Sequence, residues 1–171
     1  MIGHVIISHG LQSSPDATKA TALADVAQSL GWSHERPDYR DLDAASELGD
    51  VLARIARLRE LANASRAPLV LAGSSMGAFI SARAALEVPV LGLFLMAPPT
   101  QLQGYTVTLE APPVRTRIIH GWHDELIAAA DVIAWAQVRS DHLVLVDDSH
   151  RLAAHVDFCA GEFGRFLQAL S

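Results

Sequence analysis

The pattern with the most chemical content in this chain is Gly73-Ser74-Ser75-Met76-Gly77. An apolar run, Pro68-Leu69-Val70-Leu71-Ala72, leads into it, and a helix-like run over residues 78–85 leads out. Strand, sharp turn and helix is the setting in which G-x-S-x-G presents a nucleophile. Glycine at both ends lets the strand and helix backbones close on each other, since neither carries a Cβ. The middle serine is then held in a strained turn with its hydroxyl exposed, so Ser75 is the expected nucleophile. A serine hydroxyl attacks poorly at neutral pH. It needs an imidazole to take its proton and a carboxylate to fix that imidazole's tautomer.

Both partners are available downstream. His150 closes the segment Asp147-Asp148-Ser149-His150, which directly follows an apolar run at 143–146. It is the expected base. Asp124 is the expected acid, in His120-Gly121-Trp122-His123-Asp124, four residues past another apolar stretch. Glu125 takes the role if the turn differs by one residue. Asp147 and Asp148 rank lower because neighbours on a strand end point to opposite sides and lie very close to the base in sequence. With Ser149 they read as a solvated turn capping the last helix. Attack on a carbonyl builds charge on its oxygen, which two backbone N–H groups ordinarily meet. Met76, after the nucleophile, and Leu11, in the first strand-to-helix loop, are the expected donors. Gly10 permits the tight path there, and His9 orients the loop or lines the pocket. Trp122 is read as a pocket-shaping residue.

These residues need a scaffold that gathers them. Strands are expected at 2–7, 32–36, 69–71, 90–96, 117–120 and 143–146, and helices at 15–30, 46–64, 78–86, 131–138 and 152–170. The helix at 46–64 has the clearest apolar face, with Leu48, Val51, Leu52, Ile55, Leu58 and Leu61 at spacings of three and four. Strands lacking polar alternation, each followed by a helix, predict an open doubly wound, mostly parallel sheet of about six strands with helices on both faces. In such sheets the ligand sits beyond the carboxyl ends of the strands. Ser8-His9-Gly10, the serine turn, the His120–Asp124 segment and the Asp147–His150 segment all fall at such ends.

With 171 residues, half of them apolar, the chain is read as one domain over 1–171. A net charge of −6 argues against nucleic-acid binding, which needs clustered cations. Arg54, Arg57 and Arg59 do cluster, but beside Glu47, Asp50 and Glu60, and read as a solvated helix face. No apolar run is long enough to span a membrane and no leader pattern is visible. Cys159 is the single cysteine and reads as a buried small residue, so a cytoplasmic location is expected. No phosphate-cradling glycine loop follows the first strand. His120, His123 and Asp124 lie in one turn without a recognised ligand spacing, so neither a cofactor nor a metal is expected.

Together these segments resemble the α/β-hydrolase superfamily, especially its small lidless bacterial esterase-like (YqiA-like) members. The likeness runs from Ser8-His9-Gly10 to His150-Arg151-Leu152. It implies that Ser75, Asp124 and His150 form the triad and that Leu11 and Met76 supply the oxyanion donors. Only 98–113 separates two late strands, which leaves no room for a helical cap. The implied activity is hydrolysis of a small carboxylic ester or thioester through an acyl-serine. A peptidase or amidase would use the same groups, and a non-catalytic binding protein on this fold is the alternative from another class.

Overall fold

Apolar runs with no polar alternation become strands covered on both faces, and they supply five of this chain's six strands; the sixth, Ser33–Glu35, is short and polar and lies at the sheet edge. The structure, a computed structural model, describes residues 2–171. Strands β1 (His4–Ser8), β2 (Ser33–Glu35), β3 (Leu69–Ser74), β4 (Gly92–Met96), β5 (Arg115–Gly121) and β6 (His142–Val146) form one sheet in the order β2-β1-β3-β4-β5-β6. Every neighbouring pair is parallel. The helices are α1 (Thr18–Ser29), α2 (Arg40–Ala44), α3 (Val51–Ala64), α4 (Met76–Ala84), α5 (Ala129–Arg139) and α6 (Val156–Gln168).

The pleat sorts the strand residues into two cores. Val5, Ile7, Val70, Ala72, Phe94, Met96 and Ile119 pack with α1 and α6. Ile6, Leu69, Leu71, Leu93, Leu95 and Ile118 pack with α3, α4 and α5. The predicted doubly wound parallel sheet is therefore the observed one. Cys159 on α6 is fully buried and free, and burial pushes its thiol up to about 11.

The helix starts differ from expectation for local reasons. A turn closed by Ala17 N–H on the Ser14 carbonyl delays α1 from 15 to 18. The third helix begins at 51 rather than 46, because Gly49 has a φ of 72° and the Asp50 carboxylate accepts from the Ala53 amide at 3.0 Å. A 3-10 turn, Ala153–His155, precedes α6. The five-residue α2 was not anticipated; it is too short to show a period.

Strand β1 lies between β2 and β3. After β1 the chain crosses one face through α1, and after β3 it crosses the other through α4. The two connecting loops part at this reversal of strand order and leave a crevice beyond the strand ends. Residues 97–114 contain no helix, only an isolated antiparallel bridge between Gln101 and Thr108. The Tyr105 hydroxyl holds this segment down by donating to the Gly49 carbonyl at 2.6 Å. No helical cap covers the crevice, as the short spacing predicts. Among the described residues, no helix is long and apolar enough to cross a membrane.

Candidate active site

The turn after β3 is built by steric exclusion. A Cβ on Gly73 would overlap the Gly77 carbonyl, and a Cβ on Gly77 would overlap the Ser8 carbonyl of β1. Only glycines let α4 start this close to the sheet. Ser75 sits between them with φ 54° and ψ −120°, a backbone conformation that L-residues rarely hold. It is pinned on both sides. Its amide donates to the Met96 carbonyl at 2.9 Å, and its carbonyl accepts from Ala78 and Phe79 at 2.9 and 3.1 Å.

His150 Nε2 lies 2.9 Å from Ser75 Oγ, and His150 Nδ1 lies 2.8 Å from Asp124 Oδ2. The Asp124 side chain is fully buried. Its Oδ1 accepts from the Leu126 and Ile127 amides at 2.9 and 2.8 Å, so the carboxylate stays solvated by backbone away from water. The unconditional acceptor at Nδ1 places the His150 proton there and leaves Nε2 as acceptor for the serine hydroxyl.

The neighbouring acids take other partners. Glu125 accepts from the His150 amide at 3.1 Å, fixing the loop and not the ring. Asp148 accepts from the Ser149 and Ala154 amides and from His155, capping the chain's turn into the last helix. Asp147 pairs with His123 in solvent, 2.9 Å away. His120 is buried beneath Asp124. Its Nε2 donates to the Ile127 carbonyl at 2.9 Å and lies 3.4 Å from Asp124 Oδ2. Burial lowers its pKa, and its Nδ1 has no protein partner. His120 and His123 thus diverge, and among the described residues no three His, Cys, Asp or Glu side chains gather as metal ligands would.

Leu11 and Met76 both line the cleft beside Ser75, and neither amide donates to another protein group among the described residues. His9 and Gly10 line it too. His9 is buried, and its proton is placed by its neighbours. The Tyr39 amide donates to Nε2 at 3.0 Å, so Nδ1–H donates to the Gly10 carbonyl at 2.8 Å. Burial lowers its pKa, which keeps it neutral. Trp122 does not shape the pocket. Its amide bonds the Val146 carbonyl, and its side chain is half in solvent, away from the cleft.

One expectation is overturned outright. Arg54 is not on a solvated helix face but is completely buried. Its Nε and one terminal nitrogen grip Asp43 at 2.8 and 2.6 Å. The guanidinium also donates to the His9 and Gly10 carbonyls at 2.8 and 3.1 Å and stacks over the Tyr39 ring. Asp43 in turn accepts from the Gln12 amide at 3.2 Å. This pair clamps the loop that carries Leu11. Arg57 and Arg59 do lie outside, paired with Asp41 and Glu87. The sequence signal was thin: Arg54 follows Leu58 and Val51 around α3 onto the buried face, with Asp43 hidden in an unanticipated helix.

Comparison with solved structures gives relatives both near and distant. A Xanthomonas campestris pv. campestris protein of the alpha/beta hydrolase superfamily is 55% identical, with a TM-score of 0.95 over 98% of this chain and 99% of that one. A lidless α/β serine hydrolase from Xanthomonas campestris is 23% identical, with a TM-score of 0.76 over 99% of this chain and 83% of that one. Est1E from Butyrivibrio proteoclasticus, with ferulic acid bound, is 15% identical, with a TM-score of 0.78 over 98% and 89%. The last two likenesses show the fold alone. No protein-family model and no curated protein sequence matches the chain.

Proposed function

The chain belongs to the α/β-hydrolase superfamily, and from that premise we propose that it is a serine hydrolase cleaving small carboxylic esters or thioesters. The observation that carries this reading is the continuous relay from Asp124 through His150 to Ser75, at 2.8 and 2.9 Å. Ser75 Oγ attacks the acyl carbon while His150 Nε2 takes its proton. Asp124 holds the ring and stabilises the imidazolium. The Leu11 and Met76 amides receive the oxyanion. His150 then gives the proton to the leaving oxygen or sulfur as its bond to carbon breaks. Water attacks the acyl-serine with His150 again as base, and Ser75 is released.

A fluorophosphonate probe tests the reading. Labelling is expected in the parent and absent in Ser75→Ala, with an unchanged circular dichroism spectrum. An unlabelled, folded parent would favour the non-catalytic binding protein instead. Asp124→Asn should stay folded and lose about 10⁴-fold in turnover, because the ring then presents the wrong tautomer. Loss of only a few fold would show that another carboxylate orients His150.

A further inference from the structure

Lys19 is the only lysine among the chain's 13 Lys and Arg residues. It sits in the first turn of α1 and lines the cleft of about 830 Å³ that contains Ser75. Arg151 lines the same wall. Of the other eleven arginines, nine pair with carboxylates among the described residues, while Arg66 and Arg115 do not and lie away from the cleft. Lys19 and Arg151 form no ion pair among the described residues. The Lys19 ammonium donates to the Arg151 carbonyl, and the Arg151 guanidinium reaches into solvent. The groups facing Lys19 are the Cys159 thiol, neutral because burial raises it, and Asp148, whose carboxylate is already taken by His155 and two amides. Partial burial lowers the Lys19 pKa, and the ammonium has no counter-ion of its own among the described residues.

The cleft is also selective in what it omits. The chain has 19 acidic residues and a net charge of −6, yet no aspartate or glutamate lines the cleft. A concave wall with cations alone focuses a positive potential on whatever binds there. Its place is defined by His150. Arg151 is the next residue, and Lys19 is tied to it. The leaving atom must come within reach of His150 Nε2 to be protonated, so this wall faces the leaving group. Leu11, Leu48, Met76 and Leu102 also line the cleft and offer apolar surface that suits an acyl chain.

We propose that the substrate is an ester or thioester whose leaving group is anionic, its carboxylate or phosphate-type oxyanion seated between Lys19 and Arg151. This rests on the serine-hydrolase reading above. The step balances without a co-reactant: the Ser75 Oγ–carbon bond forms, the carbon–leaving-atom bond breaks, and the serine proton passes through His150 to the anionic alcohol or thiol.

The test uses three butanoyl esters, of 4-hydroxybenzoate, 4-hydroxybenzamide and 4-hydroxyphenylphosphonate. The parent should favour at least one anionic ester over the neutral carboxamide by roughly 10- to 100-fold in kcat/KM, the range for hydrogen bonds to charged groups. The larger of the two anionic preferences separates carboxylate from phosphate-type recognition. Raising the salt concentration should shrink the preference. In the Lys19→Gln/Arg151→Gln variant the ratio should approach one, a change that mere loosening of the His150 loop would not produce. Turnover of the neutral ester with a parent ratio near one, or a ratio unchanged in the variant, would overturn the inference and leave the hydrolase reading standing. If the parent turns over no ester, the hydrolase reading fails first. Binding is then read directly by labelling with isotopic lysine, which gives a single set of Lys19 resonances. A shift with 4-hydroxybenzoate or 4-hydroxyphenylphosphonate, but not with 4-hydroxybenzamide, supports the anion seat, and no shift with either anion refutes it.

Discussion

The loop after β1 and the turn after β3 face each other across Ser75 and are held by opposite means. The turn after β3 is fixed by what is missing. Two absent Cβ atoms, on Gly73 and Gly77, let α4 and β1 touch, and backbone bonds do the rest. The loop after β1 is fixed by what is added: Arg54 on α3, Tyr39 and Asp43 at α2, and His9 of the loop itself tie its carbonyls and amides. One loop is constrained locally and sterically, the other remotely and electrostatically. The two amides proposed to receive the oxyanion, those of Leu11 and Met76, therefore depend on unrelated kinds of physics.

Gly77→Ala should break the first loop with the largest effect. The new methyl meets the Ser8 backbone, which has no rotamer to move into. A loss of at least about 5 kcal/mol, or no folded protein, is expected in chemical denaturation. A loss near 1 kcal/mol would mean that the helix can shift and that the turn is less constrained than its geometry implies.

The second loop should break through its buried charge. Arg54→Met leaves Asp43 buried without its partner and should cost about 3–4 kcal/mol. Adding Asp43→Leu should return stability to within about 1 kcal/mol of the parent, since a buried ion pair adds little over well-packed apolar groups. Turnover should not return with it. The Leu11 amide would have lost its anchor, and a displaced oxyanion donor costs about 10²-fold in kcat. Recovery of both stability and turnover would show that the clamp is only structural and that the comparison is overdrawn.

The smallest effect is the pH dependence of the same loop. His9 is held neutral in the fold, with its pKa below the ordinary 6.5, chiefly by burial. The unfolded chain binds the proton more readily, so this contribution is complete above pH 6.5 and falls away as the pH drops below it, toward the folded value. Stability should decline there with a slope of up to about 1.4 kcal/mol per pH unit from this group. His120, also lowered by burial, adds to the slope. The slope should be shallower in His9→Gln, measured by urea titration from pH 7.5 to 5. An identical slope would show that His9 does not sense the loop's closure.

The same contrast explains what could be read from the chain. The β3 turn was legible because its constraint is written in five consecutive residues. Asp124 and His150 were legible because strand ends put them on one rim, and the parallel, doubly wound sheet follows from apolar runs alternating with helices. The clamp behind the β1 loop was not. Arg54 shares a helix with two half-buried arginines whose charges meet solvent, and its partner sits 11 residues earlier on a helix of five residues. No local pattern separates a buried arginine from a solvated one when the neutralising carboxylate lies on another element. Trp122 misled for the converse reason: it lies beside Asp124 in sequence, but its side chain leaves the turn on the solvent side.

The hydroxyl of Tyr105, bound to the Gly49 carbonyl, keeps the segment 97–114 flat against the body of the protein. On the proposed acyl-serine route, no helical cap would shut over an acyl group on Ser75, and its carbonyl would stay open to solvent. An added alcohol or amine has no sheltered interval in which to intercept the acyl group ahead of water. Product partitioning should follow the nucleophile concentrations in the medium, which would make the proposed enzyme a catalyst for breaking esters and a poor one for exchanging them.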